Sequence, residues 1–293
     1  MYEKILVPLD GSELAEVSLC YAEELAGRLG SEVTLINVYE PAQAPYHRMH
    51  EFYMQKMVET TKCGAGRWCT AELDKEKIKI GTVILVGQPA EQIMDYADKE
   101  DIGLIVMATQ GRSGIGRWAL GSVADKVVRA TNRPVALIRA KGARSDVREK
   151  GILNRVLVPL DGSKGSEAII PYIEELASKL KTEVILLRIV AADFTIVGDW
   201  QMKELESFRA SAKDYIESVV AKLKQKGINA KAEFIGGTEN TAEVIIRRAD
   251  ELNVDAVAMS THGRSGVGRW AFGSITERVL QAGTTPLLLV RTR

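Results

Sequence analysis

The sequence predicts an α/β fold: two tandem doubly wound domains, each a parallel sheet covered by helices on both faces. Three observations carry this expectation. Short runs that are nearly all apolar and rich in β-formers alternate with stretches of helical periodicity, and strands of that kind are buried on both faces, as in sheets with helices above and below. The pattern is stated twice in the same order. ILVPLDGS at 5–12 returns as VLVPLDGS at 156–163, GRSGIGRWALGS at 111–122 returns as GRSGVGRWAFGS at 263–274, and RPVALIR at 133–139 is answered by TPLLLVR at 285–291. Finally, 293 residues are long for a single core. A duplicated domain satisfies all three, with halves at 1–140 and 154–293 joined by the charged segment 141–153.

In the first half the expected strands are Lys4 to Leu9, Glu32 to Val38, Thr82 to Val86, Leu104 to Ala108 and Val135 to Arg139. Between the first two, Ala15, Leu19, Ala22, Ala26 and Leu29 recur at helical spacing, and Gly30 stands where a C-terminal cap belongs. The matching face in the second half is Ser166, Ile170, Ile173, Ala177 and Leu180, with Pro171 expected to delay or kink that helix. A longer, weaker helix is expected from Met49 to Leu73 and from Lys203 to Lys226. A third starts near Pro89 or Thr241, and a fourth follows the glycine-rich loop.

Composition narrows the function classes. Apolar residues at 46% and charged residues at 27% suit a globular chain. Equal numbers of acidic and basic residues give no general attraction to nucleic-acid backbones or anionic membranes. No apolar run approaches the roughly 18 residues of a membrane span, and MYEKILVPLDGS, with Glu3 and a turn by Asp10, does not read as a signal peptide. Three cysteines, Cys20, Cys63 and Cys69, make no disulfide framework. The expected compartment is the cytoplasm.

In doubly wound sheets ligands gather at the carboxyl ends of the strands where the strand order reverses. Two features of each half should meet there: the PLDGS turn leaving the first strand and the glycine loop leaving the fourth. Ser122 and Ser274, with Asp125 and Glu277 three residues on, read as capping boxes. Gly121 and Gly273 are expected to expose helix-start amides, which with the helix dipole form an anion site. GRWALGS has the glycine spacing of a P-loop, but Ser122 and Ser274 stand where the phosphate lysine belongs. GIGRWA and GVGRWA fit a dinucleotide fingerprint, yet they do not follow the first strand, and about 20 residues beyond Ala119 lies Arg139 instead of an acid.

An aspartate ending the first strand, a long helical excursion, and then Gly111 followed by Gly121-Ser122 resemble the universal stress protein family, as do Gly263 and Gly273-Ser274. The resemblance covers essentially the whole chain as two copies. It implies a Rossmann-like five-stranded sheet in the order 3-2-1-4-5, pairing of the two fifth strands in an intramolecular pseudo-dimer, and, in one branch, ATP binding with Mg²⁺. It further implies that Pro8, Leu9, Asp10 and Ser12 border base and ribose, that Val38 offers backbone groups to adenine, and that Gly111, Arg112, Gly121, Ser122 and Val123 surround the triphosphate. The matching residues of the second half are Pro159, Leu160, Asp161, Ser163 and Ile189, then Gly263, Arg264, Gly273, Ser274 and Ile275. One departure stands out. Ala108 and Ser260 occupy the position of the signature's first glycine, so a Cβ points where the backbone approaches the ribose. Gln110 against His262 is a second asymmetry, so the two halves need not bind equally.

Other residues weigh less. His262 lacks a counterpart, which argues against catalysis by it. His47, His50, Cys63 and Cys69 share one excursion without metal spacing or a copy in the second half, and read as solvated helix residues. Trp118 and Trp270 fit burial better than base stacking. The function expected is therefore a non-catalytic, nucleotide-dependent switch in stress response or signalling, with a protein partner and room for further homodimerisation. A slow ATPase and a nucleotide-free interaction scaffold are the alternatives. No catalytic residue and no dedicated metal site are assigned.

Overall fold

The structure, a computed structural model, describes residues 1–69, 78–111, 120–139, 151–191, 199–261 and 272–292. The chain divides into two compact units, Met1–Ile152 and Leu153–Arg293. The first contains β1 (Lys4–Pro8), α1 (Glu13–Glu16), α2 (Leu19–Leu29), β2 (Glu32–Tyr39), a 3₁₀ turn (Pro41–Tyr46), α3 (His47–Ala65), β3 (Ile80–Val86), α4 (Pro89–Lys99), β4 (Leu104–Ala108), α5 (Ser122–Ala130) and β5 (Val135–Ile138). The second contains β6 (Arg155–Pro159), α6 (Lys164–Glu167), α7 (Ile170–Leu180), β7 (Glu183–Ala191), α8 (Asp199–Gln225), β8 (Ala230–Gly237), α9 (Thr241–Glu251), β9 (Ala256–Ser260), α10 (Ser274–Ala282) and β10 (Leu287–Val290).

Strand order is β3-β2-β1-β4-β5 in the first unit and β8-β7-β6-β9-β10 in the second. The pairings within each unit are parallel, which is the 3-2-1-4-5 order in both halves. β1 lies between β2 and β4, so the chain leaves it in one direction and later returns on its other side. That reversal opens a crevice beyond the carboxyl ends of β1 and β4, and likewise of β6 and β9.

The strands are apolar because both faces are covered. Ile5, Leu6 and Val7 of β1, Leu35 of β2 and Ile105 of β4 are fully buried, as are Leu157, Val158, Ile185 and Leu186 in the second unit. Each such burial contributes about 1.5–3 kcal/mol relative to exposure. Among the described residues no helix is long and apolar enough to cross a membrane.

The first helical stretch differs from the continuous helix its periodicity suggests. It breaks between α1 and α2, where the Ser18 hydroxyl donates to the Ala15 carbonyl at 2.7 Å and competes for a helical acceptor. The second half breaks at the same place, and Pro171 occupies the first turn of α7, where its missing N–H costs nothing. Gly30 caps α2 in the left-handed region at φ 71°, as its position suggests. α3 closes at Ala65, short of the expected Leu73, and the 3₁₀ turn ahead of it has no periodicity by which to be foreseen; residues 70–77 lie outside the described set.

Leu35→Ala removes a fully buried side chain of β2. We expect a loss of about 2–5 kcal/mol of stability, read as a lower urea midpoint at unchanged slope.

Candidate functional site

Each crevice begins with a turn built from four residues. The ladder continues one residue past β1, where the Leu9 N–H donates to the Ile36 carbonyl at 2.8 Å. The chain then turns through Asp10, Gly11 and Ser12. Gly11 sits at φ 84° and Gly162 at φ 83°, a region that glycine enters without a Cβ penalty. Asp10 Oδ1 accepts from the Ser12 N–H at 3.0 Å and from the Ser12 hydroxyl at 2.6 Å. Ser12 in turn caps α1, its oxygen accepting from the Ala15 N–H at 3.2 Å. The second half repeats this: Ser163 N–H donates to Asp161 at 2.9 Å, and Ser163 accepts from the Ser166 N–H at 3.1 Å. Both serines thus hold the aspartate instead of lining the crevice.

A tyrosine braces each turn from outside. Tyr53 of α3 donates to Glu16 at 3.1 Å, and Tyr215 of α8 donates to Glu167 at 2.8 Å. Burial first, then the bond to Glu167, pushes the Tyr215 phenol above its ordinary pKa, and Arg188 pulls the other way. The phenol therefore stays a donor. Sequence reading missed this brace because the two excursions differ in length and the tyrosines fall out of step.

The glycine loop meets the turn at a close approach. A Cβ built on Gly111 would lie 2.2 Å from Asp10 Oδ2, so only glycine lets the carboxylate rest against this backbone. At the far end of the loop the Gly121 N–H donates to the Thr109 carbonyl at 2.7 Å and the Gly273 N–H to the Thr261 carbonyl at 2.9 Å. These two amides are consumed closing the loop, which corrects the expectation that they face a ligand. The capping boxes are corrected too. Gly121 and Gly273 are themselves the N-caps and no side chain caps either helix. Ser122 and Ser274 are first helical residues, and Asp125 turns to Arg129 at 2.7 Å. The first helical bonds run from Asp125 N–H to Gly121 and from Glu277 N–H to Gly273, both at 2.9 Å. The amides ahead of them, on Ser122, Val123 and Ala124 and on Ser274, Ile275 and Thr276, have no intrahelical acceptor and carry the positive end of the helix dipole.

Turn, strand ends and helix start enclose a cavity in each half. The first, about 500 Å³, brings together Pro8, Leu9, Asp10, Val38, Ala108, Gly111, Gly121, Ser122 and Val123, and adds Glu40, Gln43 and Gln110. The second, about 360 Å³, brings together Pro159, Leu160, Asp161, Ile189, Ser260, Gly273, Ser274 and Ile275, and adds Arg188, Phe208 and Thr276. Arg112, Gly263 and Arg264 lie outside the described residues, as do His262, Trp118 and Trp270. Ala108 ends β4 in register with Ile138. Ser260 ends β9, its carbonyl accepting from the Thr276 hydroxyl at 3.1 Å; Ala124 has no hydroxyl to offer at that place in the first half. Arg188 escaped sequence reading although one signal was present: a lone cation in the apolar run EVILLRIVA.

The excursion residues take other roles. His50 is buried and stacked on Tyr39 at 4.8 Å, which corrects its reading as a solvated residue. His47 meets the Tyr39 hydroxyl at 2.9 Å and Glu51 at 3.2 Å. Cys63 is exposed, and Cys69 lies 3.8 Å from the Ala65 carbonyl. Among the described residues no group of three metal-ligating side chains is assembled.

The universal stress protein family model matches residues 1–139 and again 153–291. The chain belongs to the universal stress protein family. It is a tandem member, and similar proteins come in one-domain and two-domain lengths. A universal stress protein of Methanocaldococcus jannaschii is 31% identical over 149 residues, covering 47% of this chain and 83% of that protein. One from Mycolicibacterium smegmatis is 22% identical over 99% of this chain and 97% of its own length. The crystal structure of a universal stress protein from Archaeoglobus fulgidus shares the fold, with a TM-score of 0.69 at 19% identity and 99% coverage of both chains.

In the first universal stress protein domain, Gly111→Ala drives a methyl group into Asp10. We expect about 1–3 kcal/mol of destabilisation together with faster amide exchange at Ser12, whose N–H depends on the same carboxylate.

Proposed function

We propose that each universal stress protein domain holds an adenine nucleotide, phosphates on the helix start and base toward the end of β2 or β7, and works as a switch without catalysing a reaction. The observation that supports this most is the shared opening of three helix-start amides and one aspartate onto a single cavity, present in both halves. Amides at a helix N-terminus suit phosphate oxygens. Cavities of about 500 and 360 Å³ fall in the range of small-molecule sites. A Cβ on Gly121 would stand 3.3 Å from the Thr109 carbonyl, so the N-cap leaves little room for a side chain beside the helix start.

The donor set also fits Mg²⁺, which is commonly held by one or two carboxylates together with substrate phosphates. Asp10 and Asp161 would hold it, and the ion would neutralise phosphate charge. The aspartates, already fixed by Ser12 and Ser163, orient; the helix-start amides bind. Hydrolysis is not part of the proposal, because the aspartate is the single titratable side chain that both cavities share among their described lining residues. Occupancy would change the surface offered to a protein partner. Pairing of the two fifth strands belongs to the same proposal, supported by their apolar sequences, as do a linker at 141–153 and a cytoplasmic setting.

Calorimetric titration of nucleotide-stripped protein with Mg-ATP tests this, with AMP and NADH as controls. We expect heat of binding at one or two sites per chain. Gly273→Val should abolish one of two sites, or the only one if the second half alone binds, with little change in thermal midpoint. Absence of heat and of thermal stabilisation at millimolar ATP would leave the scaffold reading in its place.

A further inference from the structure

The two cavities differ in charge at one matched place. Lys4 of β1 pairs with Glu32 in the first half as Arg155 of β6 pairs with Glu183 in the second. Counting along β2 and β7 from these pairs, Asn37 corresponds to Arg188 and Glu40 to Ala191. Asn37 and Arg188 make the same structural bond: Asn37 Nδ2 donates to the Leu9 carbonyl at 2.8 Å, and Arg188 Nη1 to the Leu160 carbonyl at 3.4 Å. The arginine does with a full positive charge what the asparagine does with none. Arg188 is 5% exposed, lines the second cavity with Asp161, and is close enough to Tyr215 to bias its phenol, as Asp161 also is. Glu40 lines the first cavity with Asp10, and its carboxylate also caps the 3₁₀ turn by accepting from the Gln43 N–H.

GRSGIGRWA and GRSGVGRWA carry the same two arginines each. Among the described lining residues, the first cavity therefore presents two acids, and the second an acid and a buried base. A buried guanidinium attracts phosphate charge across a cavity without touching it, and charge is screened least where water is excluded.

Resting on the nucleotide reading above, we infer that the two domains divide nucleotides by metal state: the first requires a divalent cation with the nucleotide, and the second accepts the metal-free polyanion. In the first cavity Asp10 and Glu40 together repel bare phosphates, and Asp10 supplies hard oxygen to Mg²⁺. In the second, Arg188 supplies within the protein the positive charge that the metal brings elsewhere.

The test isolates each cavity in the full chain, using Gly273→Val to leave the first and Gly121→Val to leave the second, and titrates ATP in excess Mg²⁺ and in EDTA. Removing Mg²⁺ should weaken the first cavity at least about tenfold and the second by less than about threefold. Arg188→Asn with Ala191→Glu, made in the second-cavity protein, should install the metal requirement; Arg188→Lys should not. Asn37→Arg with Glu40→Ala, made in the first-cavity protein, should relieve it. The arginine-to-asparagine exchange copies a residue that already holds the equivalent carbonyl, and thermal midpoints check that every variant is folded. Equal Mg²⁺ dependence in both cavities, or exchanges that leave the dependence where it was, overturns the inference while nucleotide binding stands. Failure of Mg-ATP to bind the unmodified protein overturns both.

Discussion

The site in the first half depends on one aspartate held between a turn and a glycine. Asp10 closes its own turn through Ser12, and its other oxygen rests where a Cβ of Gly111 would be. The carboxylate thereby fixes the exit of β1 relative to the exit of β4, the two strands between which the crevice opens. Around it each part has a limited task. Gly11 supplies the left-handed step, Tyr53 braces α1, and Gly121 spends its amide on Thr109 while the next three amides are left without an intrahelical acceptor.

Duplication repeats the aspartate's turn and frees other positions to diverge. The elements that fix geometry recur in both halves: the aspartate turn, the serine cap, the tyrosine–glutamate brace and the glycine N-cap. Groups that differ change the charge and polarity of the cavity linings: Glu40 lines the first and Arg188 the second, and Ala124 of the first is matched by Thr276 of the second. Two cavities built on one frame can differ because the residues that differ are not the ones that fix the frame. Arg188 shows how: its bond to the Leu160 carbonyl repeats what Asn37 does for Leu9, so the frame tolerates either residue.

Much of the fold was legible in the sequence. Apolar strands, a helical face ending at Gly30 and the repeated order of motifs are local signals, and the strands and helices follow them closely. The break between α1 and α2 was legible in the second half through Pro171 but not in the first, where the cause is a hydroxyl, Ser18, reaching back to Ala15. The capping boxes misled for a related reason. Serine and acid stand at the right spacing, yet Gly121 takes the cap because its amide is drawn to Thr109, which only the folded loop brings near.

By itself the sequence determined the class of fold, its duplication, the family, and which loops converge on the crevice, since each rests on periodicity, on glycine's backbone freedom, or on motifs read along the chain. Tertiary structure alone decided which amides remain open, that Ser12 and Ser163 serve the site from behind, that His50 is buried against Tyr39, and that Arg188 lines one cavity where Glu40 lines the other. Those outcomes depend on distances between residues far apart in the chain. Strand register and packing set such distances, and no local pattern encodes them.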